Sequence, residues 1–125
     1  MKNKIVAIIP ARGGSKRIKN KNIKLFNSKP LIFWTIKAAL NSKKIDDVYV
    51  TSENKTILKI SKRFNSKIVK RPKKLSNNII MPDKAVRDAY LQIKKKYKYV
   101  VTLQPTSPLR TTYDIDASIE KIIKT

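Results

Sequence analysis

At 125 residues, with 41% hydrophobic content and no cysteine, the chain suits one compact domain over residues 1–125 that buries roughly two-thirds of its unfolded surface. The lack of both Cys and His excludes a disulfide framework, a thiolate or imidazole zinc site, and any Cys or Ser-His nucleophile system. Thirty Lys and Arg against eight Asp and Glu give a formal charge of +22, which points either to a polyanionic partner or to compositional drift.

Residues 5–9 form an unbroken apolar, β-branched run, expected of a strand buried on both faces in a parallel sheet. Lysines precede this run as in an export signal, but Pro10 and Arg12 interrupt it and no small-x-small cleavage site follows. No other apolar run approaches the roughly 20 residues of a membrane span, so the protein is expected to be soluble and cytoplasmic, with no membrane partner. Pro30 opens a helix expected to reach Leu40, with Ile32, Ile36 and Ala39 on one face. Val48-Tyr-Val50 reads as a second strand ending at Thr51-Ser52-Glu53. Ile57, Ile60, Ser61 and Phe64 mark a second helix, and Ile68-Val69 a short third strand. A third helix is expected over 82–96, with Val86, Ala89 and Ile93 on a stripe that continues to Tyr97. Tyr99-Val-Val-Thr-Leu103 is a fourth strand, and Ile115, Ile119 and Ile122 lie at helical spacing in a closing segment. Strands alternating with helices in this way read as an α/β domain with right-handed crossovers and a mostly parallel sheet.

The two glycines of the chain are adjacent, Gly13-Gly14, directly after the first strand. In an open α/β sheet that loop lines the ligand crevice, and Gly there admits close approach of backbone N–H groups to a phosphate. Arg12, Ser15, Lys16, Arg17, Lys19, Lys21 and Lys24 surround the pair, a composition suited to an anion cradle, although neither G-x-x-x-x-G-K-[ST] nor G-x-G-x-x-G is present. By composition alone, a tight surface turn remains the alternative. The positive charge is spread along the chain and only six of its basic residues are Arg, whereas nucleic-acid readers concentrate Arg for bidentate contacts. Abundant Asn and Ile suggest the codon bias of an AT-rich genome, and no specific nucleic-acid partner is expected.

Three blocks resemble the acylneuraminate cytidylyltransferases, the CMP-sialic acid synthetases, and their relatives for legionaminic and pseudaminic acids. They are Ile9-Pro-Ala-Arg-Gly-Gly-Ser-Lys16 with Lys21-Asn22 and Lys29-Pro30-Leu31; Arg71-Pro72 with Leu75; and Leu103-Gln-Pro-Thr-Ser-Pro-Leu-Arg110 with Asp114-Ile115. The resemblance implies a Rossmann-like nucleotide-diphospho-sugar transferase fold, here shortened. It implies a cytidylyltransferase that joins CTP to a nonulosonic acid, giving a CMP-sugar for surface glycan synthesis and pyrophosphate. It further implies that Arg12, Gly13, Gly14, Ser15 and Lys16 hold the CTP phosphates, that Ala11, Lys21 and Asn22 belong to the nucleotide site, and that Arg71 helps to bind the cytidine. Gln104, Thr106, Ser107 and Arg110 would face the sugar acid, while Arg12, Lys16 and Lys21 stabilise developing charge alongside Mg2+. Lys19 departs from a family proline, Asn78 from an acidic residue, and Ile79-Ile80-Met81-Pro82 from a hydroxyl-rich stretch.

Family members continue through a second half that carries the metal-binding aspartates and an element for homodimerisation, so the Mg2+ ligands are expected outside these residues. No metal ligand is assigned here: of the carboxylates, only Glu53 follows a strand on the crevice side, and it reads as a solvated loop residue. Two rival readings stand beside the enzyme, a shortened relative that binds CTP without turnover and a basic nucleic-acid module. The second lacks the aromatic residues interleaved with Arg that such a module uses.

Overall fold

The computed structural model describes residues 5–13, 25–26, 28–71, 82–105 and 111–124. Its centre is β1 (Ile5–Pro10), buried along its whole length because neighbours cover both of its faces and both of its edges. β1 pairs in parallel with β4 (Asp47–Ser52), in the register Val6 to Asp47 through Pro10 to Thr51, and on its other side with β6 (Tyr99–Thr102). β5 (Lys67–Lys70) extends the sheet beyond β4, giving the all-parallel order β5-β4-β1-β6.

The two-residue period of β1 divides the core between the two faces of the sheet. Ile5, Ala7 and Ile9 join a cluster with Ile32 and Ile36 of α1 (Leu31–Leu40), Ile57 of α2 (Lys55–Arg63), and Ile115 and Ile119 of α4 (Thr112–Lys124). Val6 and Ile8 pack on the opposite face with Val69, and with Val86 and Ala89 of α3 (Pro82–Ile93). A shift of one residue in β1 would exchange the two sets, so the packing specifies the register.

Helix ends follow local chemistry. Asn54 caps α2 by accepting the Ile57 N–H on its side-chain oxygen at 3.0 Å. The same helix closes with a left-handed Asn65, φ 72°, where the Ser66 N–H reaches Ser61 O and the Asn65 N–H reaches Lys62 O, a Schellman arrangement. Thr111 and Asp114 bond each other reciprocally at the start of α4. α4 is docked on α1 by the Thr112 hydroxyl donating to Ala38 O and by a Ser42 to Asp116 hydrogen bond.

Two elements differ from the sequence reading. A two-residue antiparallel pair, β2 (Leu25–Phe26) and β3 (Lys29–Pro30), precedes α1, turning through Ser28 at φ 65°. Arms this short carry no periodicity to detect. α3 stops at Ile93, because Lys94 adopts φ 57° and leaves the helical path. Tyr97 nevertheless stays in contact with Tyr90, whose hydroxyl oxygen accepts its N–H, so the apolar stripe continues without the helix. The lysines at 94–96 therefore lie beyond the last helical turn rather than within it.

At the amino edge of the sheet, Asp47 accepts hydrogen bonds from the Tyr97 hydroxyl at 2.5 Å and from Lys67 Nζ at 3.1 Å. Burial alone would raise the Asp47 carboxyl; these two hydrogen bonds and the charges of Lys67 and Lys95 outweigh it and hold it below its ordinary value. Burial and the Asp47 contact raise the Tyr97 phenol. A depressed Asp47 contributes stability above its unfolded pKa of about 3.9, lost as pH falls through the folded value. A raised Tyr97 contributes stability below its unfolded pKa of about 10, lost as pH climbs toward the folded value. Tyr97→Phe is expected to lower stability at neutral pH by about 1–2 kcal/mol and to flatten the alkaline limb of a urea-midpoint profile, whereas Asp47→Asn flattens the acid limb. Unchanged limbs in both variants would show that this cluster does not contribute.

Candidate nucleotide site at the carboxyl edge of the sheet

Because all four strands run parallel, the segments that follow β1, β4, β5 and β6 leave the same edge of the sheet. Backbone hydrogen bonds continue beyond the strand ends and tie these segments together. The Ala11 N–H donates to Thr51 O at 3.0 Å, the Arg71 N–H to Ser52 O at 2.8 Å, and the Leu103 N–H to Ile8 O at 3.1 Å. The Ser52 hydroxyl, buried beneath them, accepts the Asn54 N–H at 3.0 Å.

Gly13 sits where this network is tightest. Its N–H donates to Glu53 Oε2 at 2.9 Å, and a Cβ added to it would lie 2.5 Å from Asn54 Nδ2 and 2.7 Å from Asn54 Cβ. Only glycine lets the first loop pack so closely on the residue that caps α2. Glycine was expected here for close approach to a ligand; the approach observed is to a neighbouring loop, and its conformation needs no positive φ. Glu53 is accordingly not the solvated loop residue that its position suggested. It is half-buried, and its Oε1 is buried with no hydrogen-bond partner among the described residues.

Arg71 is 3% exposed, an unusual position for a guanidinium. Burial lowers its pKa and Arg12 acts in the same direction, while the charges of Glu53 and of Asp88 on α3 oppose them. It stays cationic at neutral pH, since no ordinary environment deprotonates arginine there. Asp88 is itself held by Gln92 Nε2 at 2.7 Å, and the same amide donates to Lys70 O, linking α3 to the end of β5. The result is a partly dehydrated cluster of two arginines and two carboxylates at the ligand edge of an α/β sheet. Its cations and polar backbone suit an anionic ligand.

Of the residues singled out from sequence, Ala11, Arg12, Gly13, Arg71 and Gln104 are described. The first four meet at this edge through the bonds and charges above, and Gln104 follows Leu103 off β6, half-buried. Gly14, Ser15, Lys16, Lys21, Asn22, Thr106, Ser107 and Arg110 lie outside the described residues, as do Lys19 and residues 78–81. Sequence reasoning missed the structural work of Glu53 and Asn54. The available signal was their place directly after a buried strand. Among the described residues, no three His, Cys, Asp or Glu come together to hold a metal ion, and no helix is long and apolar enough to cross a membrane.

The geometry agrees with what comparison to known proteins finds. An N-acylneuraminate cytidylyltransferase of Escherichia coli is 38% identical over 118 residues, 94% of this chain and 28% of the relative. A pseudaminic acid cytidylyltransferase of Campylobacter jejuni is 38% identical over 128 residues, 99% of this chain and 54% of the relative. The CMP-N,N'-diacetyllegionaminic acid synthase of Legionella pneumophila is 32% identical across 94% of this chain and 52% of its own length. Among solved structures, CMP:2-keto-3-deoxy-manno-octonic acid synthetase complexed with CTP superimposes with a TM-score of 0.81 at 21% identity, over 97% of this chain and 48% of that one. The chain thus spans about half the length of these relatives, or less. Cytidylyltransferase is also the family whose sequence pattern matches residues 6–125, a stretch that takes in every segment of the crevice edge, and the chain belongs to that family.

Proposed function

We propose that this chain forms the nucleotide-binding part of a cytidylyltransferase that activates a sialic-acid-like nonulosonic acid. The observation that carries this reading is that the three sequence blocks typical of such enzymes begin at the carboxyl ends of β1, β5 and β6, which lie on one edge of a parallel sheet. In the reaction, the anomeric hydroxyl oxygen of the sugar acid bonds to the α-phosphorus of CTP. The bond from that phosphorus to the bridging oxygen breaks, pyrophosphate leaves, and the hydroxyl proton is lost.

Arg12, Gly13, Gly14, Ser15 and Lys16 are assigned to the phosphates, Ala11, Lys21 and Asn22 to the nucleotide site, and Arg71 to the cytidine portion. Gln104, Thr106, Ser107 and Arg110 are assigned to the sugar acid. Arg12, Lys16 and Lys21 oppose the negative charge that accumulates on the phosphoryl oxygens and on the departing pyrophosphate, a task of positioning and electrostatics. The described residues do not fit a magnesium site. Glu53, which follows β4 at this edge, has one oxygen on the Gly13 N–H and stands beside Arg71, while Asp46 precedes and Asp47 begins β4 at the opposite edge. The chemistry attributable to these residues is therefore nucleotide binding and charge stabilisation.

Calorimetry of residues 1–125 should show binding of CTP in preference to ATP at fixed ionic strength. Lys16→Ala should weaken it by up to ~1.5–3 kcal/mol, the worth of one charge-assisted contact. Unchanged CTP affinity in that variant would remove Lys16 from the phosphate site. A duplex-DNA complex that persists at high salt with no CTP preference would replace the enzyme reading with a nucleic-acid module.

Binding and turnover should separate in this chain, because no convergent carboxylates among the described residues can seat the metal that neutralises charge in the transition state. Pyrophosphate release from CTP with magnesium and N-acetylneuraminate or legionaminate should be far below that of a full-length family member. A rate of roughly 1–10³ per second from residues 1–125 alone would show that carboxylates here complete the site.

A further inference from the structure

Glu53 is an expensive residue at its position. One carboxylate oxygen is bonded to Gly13 and the other is buried without a hydrogen-bond partner among the described residues, so water solvation is given up for a single protein bond. That bond spans 40 residues of sequence and joins the segment after β4 to the segment after β1. Asn54, the next residue, presses on Gly13 from its Cα side. Gly13 is therefore gripped twice, by its amide and by its missing side chain. On the other side of the same turn, Ser52 O holds the Arg71 N–H, so residues 52–54 anchor the two cation-bearing segments, at Arg12 and at Arg71.

We propose that Glu53 is a positioning residue for nucleotide binding. By taking the Gly13 N–H on Oε2 it fixes the entry of the first loop, so that the cations flanking Gly13 meet the phosphates from a backbone already in place. The Gly13 amide is then a structural donor, and the part of Gly13 in the phosphate site assigned above is to place its neighbours rather than to donate to a phosphate itself. The inference rests on the nucleotide reading above and assigns that site a residue which neither touches the ligand nor is needed for the fold of the sheet. A carboxylate so close to a triphosphate also carries a repulsive cost. Arg71, whose charge acts on Glu53, and Arg12 beside Arg71 offset that cost, and the gain is an entropic one, since a backbone already placed at Gly13 loses less freedom on binding.

The chain has two glycines, so the Gly13 amide is readily assigned by nitrogen-15 spectroscopy, and its exchange with solvent reports the Glu53 bond directly. Glu53→Ala is expected to speed Gly13 exchange and to weaken CTP about tenfold or more, the loss of a hydrogen bond to a charged group. Glu53→Gln, which keeps an acceptor, is expected to retain both the protection and most of the affinity. Thermal melts of both variants should stay near wild type, which separates loop anchoring from global stability. Gly13 exchange unchanged in Glu53→Ala overturns the inference, and so does CTP affinity that is unchanged. Tighter CTP binding in that variant overturns it too, by showing that the carboxylate competes with phosphate for the amide. Wild-type protein that ignores CTP removes the nucleotide reading and this inference with it, whereas wild-type binding with an indifferent Glu53→Ala removes the inference alone.

Discussion

Three successive residues at the end of β4 accept hydrogen bonds from two other segments: Thr51 O from Ala11, Ser52 O from Arg71, and Glu53 Oε2 from Gly13. The crevice edge depends on this hub. Parallel pairing brings strand ends to one edge, but loops leaving that edge are held only by their own bonds. Without the hub, the segments carrying Arg12 and Arg71 would be neighbours with no defined separation. With it, they are extensions of the sheet, and they inherit its rigidity.

The hub in turn depends on β1. Buried on both faces, β1 cannot slip against β4 without exchanging its Ile5, Ala7, Ile9 set for its Val6, Ile8 set. Its register against β4 ends at Pro10 opposite Thr51, which brings Ala11 and Gly13 level with residues 51–53. Core packing thus reaches the carboxyl edge through register, and the fixed pairing of β1 with β4 does the work that a rigid loop would otherwise need to do.

The two edges of the sheet manage charge differently. At the amino edge, Asp47 is matched by Lys67 and Tyr97, and Asp46 accepts the Ile5 N–H, so charges are consumed in holding strands together. At the carboxyl edge, Arg71 is buried near Glu53 and Asp88 with Arg12 close by, an arrangement that keeps positive charge in a partly dehydrated place. Most of the described lysines lie exposed at the surface, where salt screens their charge. At the carboxyl edge burial weakens that screening.

Sequence alone determined the alternation of elements, because the central strand is an unbroken apolar run, the other strands are short runs rich in β-branched and aromatic residues, and each helix turns an apolar face to the sheet. β1, α1, α2 and the isoleucines of α4 follow directly from such local patterns. The end of α3 did not, since the stripe through Ile93 to Tyr97 is genuine packing, and only the left-handed turn at Lys94 shows that a helix no longer supports it. The short β2 and β3 pair left no periodic trace either. Gly13 was legible as a position requiring glycine, yet the reason, Asn54 lying 41 residues away in the chain and in contact in space, was not. The same holds for Glu53, whose type and place in the sequence are those of an ordinary loop carboxylate. Hydrophobic periodicity is a property of neighbours along the chain, whereas the partners of a loop amide or a buried arginine are chosen by which strands lie side by side, and only the tertiary structure decides that.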